Sequence, residues 1–238
     1  MRLFLVVFVA FNAILGLVSL AGAQDQTVDL ELVLLSDASG SIDEAEIAFQ
    51  REGYASAITD PAVLKAMTGG WYGKVAVTFV EWGDAFHQDV VVPWAVIGSP
   101  EDAEAFAGAL RAAPRRAFGS NAIGSALQTA FDLIEGNAIT GLRRVIDFSG
   151  DSAWNGNGPE IAPVRASILA AGVTINALAI LCRATECSGR PVAYDLEQAF
   201  TDQIIGGPGS FVITADNRTT FADAVRRKLI LEIAWAPR

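Results

Sequence analysis

Residues 28–44 read VDLELVLLSDASGSIDE, and this stretch decides the fold. Its first half alternates briefly and then turns solidly apolar through Leu35, the pattern of a strand buried on both faces of a parallel sheet. Its second half is a compact polar turn, Asp37-Ala38-Ser39-Gly40-Ser41, and Ser41-Ile42-Asp43-Glu44 after it reads as a capping box that opens a helix. A carboxylate and two hydroxyls at i, i+2 and i+4 of a tight turn can converge on one point, with Gly40 giving the turn freedom to bend. Oxygen ligands of this kind suit a hard divalent cation such as Mg²⁺. The same residues also fit a plain turn with Ser41 as a helix cap.

Outward from this stretch, strands and helices alternate. The first helix runs to about Ile58, and a shorter one from Pro61 to about Met67 ends at Gly69-Gly70. Lys74 to Trp82 is a β-branched and aromatic strand, and a turn at Gly83-Asp84 sends His87 to Val92 back beside it as a hairpin. Ser99-Pro100-Glu101-Asp102 starts a helix reaching Ala112, and another helix spans about Ala122 to Glu135. Strands at Arg143 to Ser149, Val173 to Leu181 and Phe211 to Thr214 interleave with helices at Ile161 to Ala171, Tyr194 to Ala199 and Phe221 to Ala234. The expected fold is α/β: a doubly wound, mostly parallel sheet with one antiparallel edge strand and helices on both faces.

The N-terminus stands apart. Arg2 is the only charge before Asp25, the run from Leu3 to Leu20 is apolar apart from Asn12 and Ser19, and Ala21-Gly22-Ala23 closes it. A charged start, an apolar middle and a small-residue end describe a signal peptide over residues 1–23, cleaved after Ala23. An uncleaved membrane anchor is the competing reading, since the run is nearly long enough to span. Residues 24–238 then form a single domain with no later span, placed in the periplasm or secreted. The two cysteines of the chain, Cys182 and Cys187, suit a local disulfide in an oxidising compartment. With one histidine in the chain, His87, they cannot furnish an ordinary zinc site, and His87 reads as a surface strand residue. The net charge is −10, and loss of Arg2 with the signal takes it to −11. Such a balance argues against nucleic acid and anionic membranes as partners and is compatible with binding cations.

In open α/β sheets ligands bind outside the carboxyl ends of the strands. Two further polar loops are placed there or nearby: Gly119-Ser120-Asn121-Ala122-Ile123-Gly124, and Asp151 at the end of Ile146-Asp147-Phe148-Ser149-Gly150-Asp151. The three loops together resemble the metal-ion-dependent adhesion site of von Willebrand factor A (VWA) domains. That resemblance implies that Asp37, Ser39, Ser41 and Asp151 hold Mg²⁺ (or Mn²⁺ or Ca²⁺), and that an acidic residue of a protein partner completes the ion's shell. The family's threonine position falls on Asn121, whose side-chain carbonyl can donate an oxygen. Ser120 is the alternative, and Asn121 as a simple helix cap is the third reading. The runs Gln50-Arg51-Glu52-Gly53-Tyr54, Val80-Glu81-Trp82, Arg144 to Asp151 and Ile204-Ile205-Gly206-Gly207-Pro208-Gly209 further resemble a bacterial exported subfamily of VWA-like proteins, DUF1194, over residues 28 to 236.

The remaining polar residues take local roles. Glu81 and Asp84 read as a solvated hairpin end, Arg115-Arg116 as a solvated loop face, and Asn155 and Asn157 as turn formers beside Gly156 and Gly158. Asp147, inside a strand, is expected to pair with Arg143, Arg144 or a backbone donor. The expected function is a cation-dependent protein-binding module of the cell envelope. An envelope domain with a vestigial site is the alternative, motivated by Asn121. A metal-dependent phosphohydrolase is a third, opposed by Ser39 standing where a second aspartate is needed and by the lack of any histidine suited to acid–base work.

Overall fold

The computed structural model describes residues 26–181, 192–216 and 218–234. In chain order the elements are β1 (Gln26–Val28), β2 (Leu30–Asp37), α1 (Glu44–Ile58), α2 (Pro61–Thr68), β3 (Val75–Trp82), β4 (Gln88–Ile97), α3 (Pro100–Ala112), α4 (Ile123–Glu135), β5 (Ile139–Gly141), β6 (Arg144–Gly150), α5 (Ile161–Ala170), β7 (Thr174–Ile180), α6 (Leu196–Gln203), β8 (Val212–Ala215) and α7 (Arg218–Ala234). The expected signal peptide over residues 1–23 and the expected Cys182–Cys187 disulfide fall outside the described residues.

Six strands form one sheet in the order β4-β3-β2-β6-β7-β8, all parallel except the β3–β4 hairpin. β2 and β3 are buried along their whole length. Because side chains alternate across a strand, β2 feeds two cores at once. Leu30, Leu32 and Leu34 pack with Tyr54, Met67, Phe106 and Leu229 of α1, α2, α3 and α7. Val33 and Leu35 pack with Leu127, Val164 and Phe200 of α4, α5 and α6 on the other face. Truncating such a fully buried leucine to alanine costs about 2–5 kcal/mol.

The chain leaves β2 in one direction through β3 and β4, then returns to place β6 on its other side. The strand order therefore reverses between β2 and β6, and the crevice beyond their carboxyl ends is where such a sheet receives ligands.

Several local expectations change. Ser41 does not cap α1; Asp43 does, its Oδ1 accepting from the Glu46 backbone N–H at 2.8 Å. The acid wins because it stands immediately before the first helical turn, where its charge also meets the positive end of the helix. β4 continues to Ile97 through Pro93, which an edge strand tolerates where the register to β3 shifts. α6 begins at Leu196 behind an Asp195 cap and runs to Gln203. Two short strands, β1 and β5, pair beside the main sheet; at three residues each they are too short to carry a period in the sequence. They explain Glu31, an acid inside a buried strand: it accepts from Gly141 N–H at 2.7 Å and Asn137 Nδ2 at 3.0 Å.

Candidate functional site

The turn after β2 and the exit of β6 meet at the switch point. Asp37 is the last residue of β2 and fully buried. Its Oδ1 accepts from the Ser39 N–H at 2.8 Å, folding the turn back on itself. Its Oδ2 is buried with no hydrogen-bond partner. Ser39 Oγ stands 3.3 Å from Ser41 Oγ. Asp151, one residue beyond β6, is also buried and bonds the Ser41 side chain. A pocket of about 700 Å³ opens here, lined by Gly40, Ser41, Ser120, Asn121, Asp151 and Trp154 among others.

The two acids feel one another. Burial and then the charge of Asp151 push the Asp37 carboxyl up to about 8, while Ser39 pulls it partly back. Burial, and more weakly Glu46, raise Asp151, against the Ser41 hydrogen bond. Two desolvated carboxylates at one point favour a shared proton or a cation between them.

The second loop is tied into the same surface. Gly40 N–H donates to the Gly119 carbonyl at 2.7 Å and Asp84 N–H to that of Phe118 at 3.0 Å. Gly119 has φ +97°, and a β-carbon there would meet Asp84 Oδ2 at 2.3 Å, so both backbone and space require glycine. α4 starts at Ile123 behind Ala122, which makes no side-chain cap. Asn121 therefore does not cap the helix. It is nearly buried in the pocket wall, and its carbonyl accepts from Gly156 N–H at 2.7 Å. Ser120 is exposed on the same wall.

Some supports have no signal in the sequence. Arg115 is no solvated loop residue: its Nη2 donates to the Ala38 carbonyl at 2.8 Å and to that of Ser39 at 3.4 Å, pinning the turn from below. Gln50 Nε2 donates to the Asp37 carbonyl at 3.3 Å while its Oε1 accepts from Ser36 Oγ. Glu81 is not a solvated hairpin end either; it is buried in a two-pronged pair with Arg51 at 2.6 and 2.8 Å. Arg51 also donates to the Ala113 and Pro114 carbonyls, joining α1 to the loop that carries Arg115. Asp84 lies outside the pocket lining and accepts from Phe86 N–H, with His87 Nδ1 at 2.8 Å. His87 sits in the turn before β4, against the Phe118 ring. Asn155 and Asn157 brace their loop against Gly124 and Ala85.

The DUF1194 family model, described as a protein of unknown function, matches residues 27–237. The chain belongs to this family. No curated protein matches the DUF1194 chain in sequence. Among solved structures it is similar to the pilus adhesin SpaC of Lactobacillus rhamnosus GG, at 13% identity and TM-score 0.59 over 86% of this chain and 31% of that one. It is similar to proximal thread matrix protein 1 of the mussel byssus with a zinc-occupied MIDAS motif, at 18% identity and TM-score 0.63 over 89% and 49%. It is also similar to a von Willebrand factor type A protein of Catenulispora acidiphila, at 15% identity and TM-score 0.53 over 86% and 42%. The DUF1194 chain thus spans half or less of the length of these proteins, and the likeness establishes a VWA-type fold.

Proposed function

We propose that this chain is an exported binding domain of the cell envelope, which holds a divalent cation and through it recognises a carboxylate of a protein partner. The cation is Mg²⁺, with Mn²⁺ and Ca²⁺ as the other hard choices. Asp37, Ser39, Ser41, Asp151 and Asn121 supply the oxygen ligands, with Ser120 as the alternative to Asn121 on the same wall.

The observation that carries this reading is the Asp37 carboxylate: fully buried, facing a second buried acid, with Oδ2 making no hydrogen bond and only Ser39 and the Asp151 backbone N–H near enough to ease its charge. A group in that position is costly unless something positive meets it. The donor set around it is all oxygen, which fits a hard cation that retains waters and accepts an outside carboxylate. The release of Ser41 from capping leaves its hydroxyl to this surface. Around the pocket the chain exposes Trp154, Phe118, Phe86 and Tyr194, large amphipathic or apolar rings of the kind that anchor protein partners. The adhesin and matrix proteins of similar fold agree with a binding role.

Isothermal titration of residues 24–238 with Mg²⁺ or Mn²⁺ tests the site. Wild type binds with an exothermic or proton-releasing signal, and Asp37→Ala does not. Absence of binding in wild type, or equal binding by both, overturns the reading. Retention of an envelope partner that EDTA abolishes tests the second half.

A further inference from the structure

A second group of buried charges lies away from the pocket, between β6, β7 and α7. Lys228 on α7 is 1% exposed and places Nζ 2.5 Å from Asp147 Oδ1 on β6 and 2.6 Å from Glu232 Oε1 one helical turn on. Asn176 Nδ2 on β7 donates to the same Glu232 oxygen at 3.0 Å. The Lys228 ammonium also lies 5.9 Å from the Phe211 ring, and the buried Tyr54 hydroxyl feels the charges of Asp147 and Glu232.

This trio is poorly arranged as a simple ion pair. Two carboxylates face one buried ammonium, with the Arg143 charge reaching Glu232 from the side of a neighbouring pocket, and Glu232 Oε2 and both Asp147 oxygens lack a directional hydrogen bond. Desolvation of each charge costs several kcal/mol, and the cost is recovered only when every remaining lone pair is satisfied. The contact does suit a reaction. With Nζ so near one carboxylate oxygen, the carbon bearing that oxygen stands roughly at the 3–3.5 Å of a near-attack arrangement, held there by the sheet and the helix at high effective concentration.

We propose that Lys228 and Asp147 condense to an intramolecular amide, with Glu232 as the proton relay. A proton passes from the Lys228 ammonium to the carboxylates. The neutral amine attacks Asp147 Cγ, a C–N bond forms and one C–O bond breaks. Glu232 takes a second proton from the nitrogen and delivers it to the departing hydroxyl, which leaves as water. An ammonium and a carboxylate go in, a neutral amide and one water come out, and no electrons are exchanged. The product removes two charges from the core. Burial and the Asp147 charge hold the Glu232 carboxyl up at about 7, so it carries and returns a proton near neutral pH. Asn176 positions it. The amide would staple α7 to β6.

Mass spectrometry of the purified, reduced, denatured chain reads the bond directly. The condensed chain weighs about 18 Da less than its sequence, the mass of one water. Trypsin does not cut after Lys228 and releases a branched peptide joining it to the Asp147 segment. Asp147→Asn reaches the same final mass by losing ammonia instead. Glu232→Gln, which keeps shape and volume, slows the appearance of linked chain after synthesis by about a hundredfold or more, the usual scale of a lost proton relay. Lys228→Met abolishes the bond. A wild-type chain at full sequence mass, with Lys228 and Asp147 recovered in separate linear peptides, overturns the proposal. A Glu232→Gln variant that links as fast as wild type overturns the relay.

Discussion

Asp147 and Asp151 lie four residues apart, one inside β6 and one just past it, and meet opposite fates. Both are buried beside a second acid. Asp147 shares its cavity with Glu232, and the protein supplies the cation itself in Lys228. Asp151 shares its place with Asp37, no lysine or arginine side chain pairs with either among the described residues, and the pocket above is open. The difference teaches how one strand can serve both structure and recognition. An acid pair closed with an internal cation fastens a helix; an acid pair buried beneath an open pocket is held ready for something from outside.

Breaking the closed pair should have the largest effect. Measured against wild-type chain whose mass shows Lys228 and Asp147 still unlinked, Lys228→Met strands two buried carboxylates and should cost about 3–5 kcal/mol of stability, read by denaturant unfolding. Replacing Lys228, Asp147 and Glu232 together by apolar residues of similar volume should recover most of that loss, because no charge is left unpaired.

The open pair should respond in the reverse sense. Asp37→Asn removes one of two repelling acids and keeps an acceptor for the Ser39 N–H. In EDTA its melting temperature should equal or exceed that of wild type. With Mg²⁺ at a hundredfold excess over the dissociation constant, wild type should gain about 2.7 kcal/mol and Asp37→Asn nothing. A variant destabilised in EDTA would show that Asp37 is structural rather than poised.

Trp154 tests whether recognition reaches past the acids. It is 62% exposed at the pocket wall, so Trp154→Ala should leave folding and cation binding within error. It should weaken partner binding by about 2 kcal/mol if the ring is an anchor, read by titration against the EDTA-sensitive partner.

The smallest effect belongs to a pair at the surface, where solvent screens what burial amplifies in the two clusters. Arg111 bonds Glu52 at 2.7 and 2.9 Å and, with help from Ser56, lowers its carboxyl from 4.5 to about 2. A depressed acid contributes stability above its unfolded value and loses it as pH falls through the folded one. The contribution of this pair should be complete above pH 4.5 and gone below about pH 2. Arg111→Ala should cost under about 1 kcal/mol in thermal melts at neutral pH, since both groups are substantially solvated.

Much of the fold was legible because its signals are local. β2 and β3 announce themselves by unbroken apolar runs, and α3 by Ser99 and Pro100 at its start. The turn at Asp37 to Ser41 and the position of Asp151 after β6 were legible as well. Long-range partners were not. In Gln50-Arg51-Glu52-Gly53-Tyr54 each residue reaches a different distant neighbour. Gln50 holds the Asp37 carbonyl, Arg51 pairs with Glu81, and Glu52 pairs with Arg111. Gly53 leaves room for Phe221, which a β-carbon would meet at 2.7 Å, and Tyr54 packs edge-on to Phe79. No periodicity encodes such contacts. Asp147 shows the same limit: nearby Arg143 and Arg144 drew the expectation, yet its cation arrives from α7, far along the chain, while Arg143 serves the Glu232 and Ile233 carbonyls.

The irregular passage of β4 past Pro93 has a consequence for assembly. An edge strand exposes a row of unused backbone groups that invites another strand to add on. Here the row is interrupted by a residue with no N–H to offer and by two shifts of register against β3. Copies of the molecule crowded together would find no continuous template along that side. A visiting chain has the same difficulty, so contact along that side falls to loops and side chains rather than to an extended seam of shared hydrogen bonds.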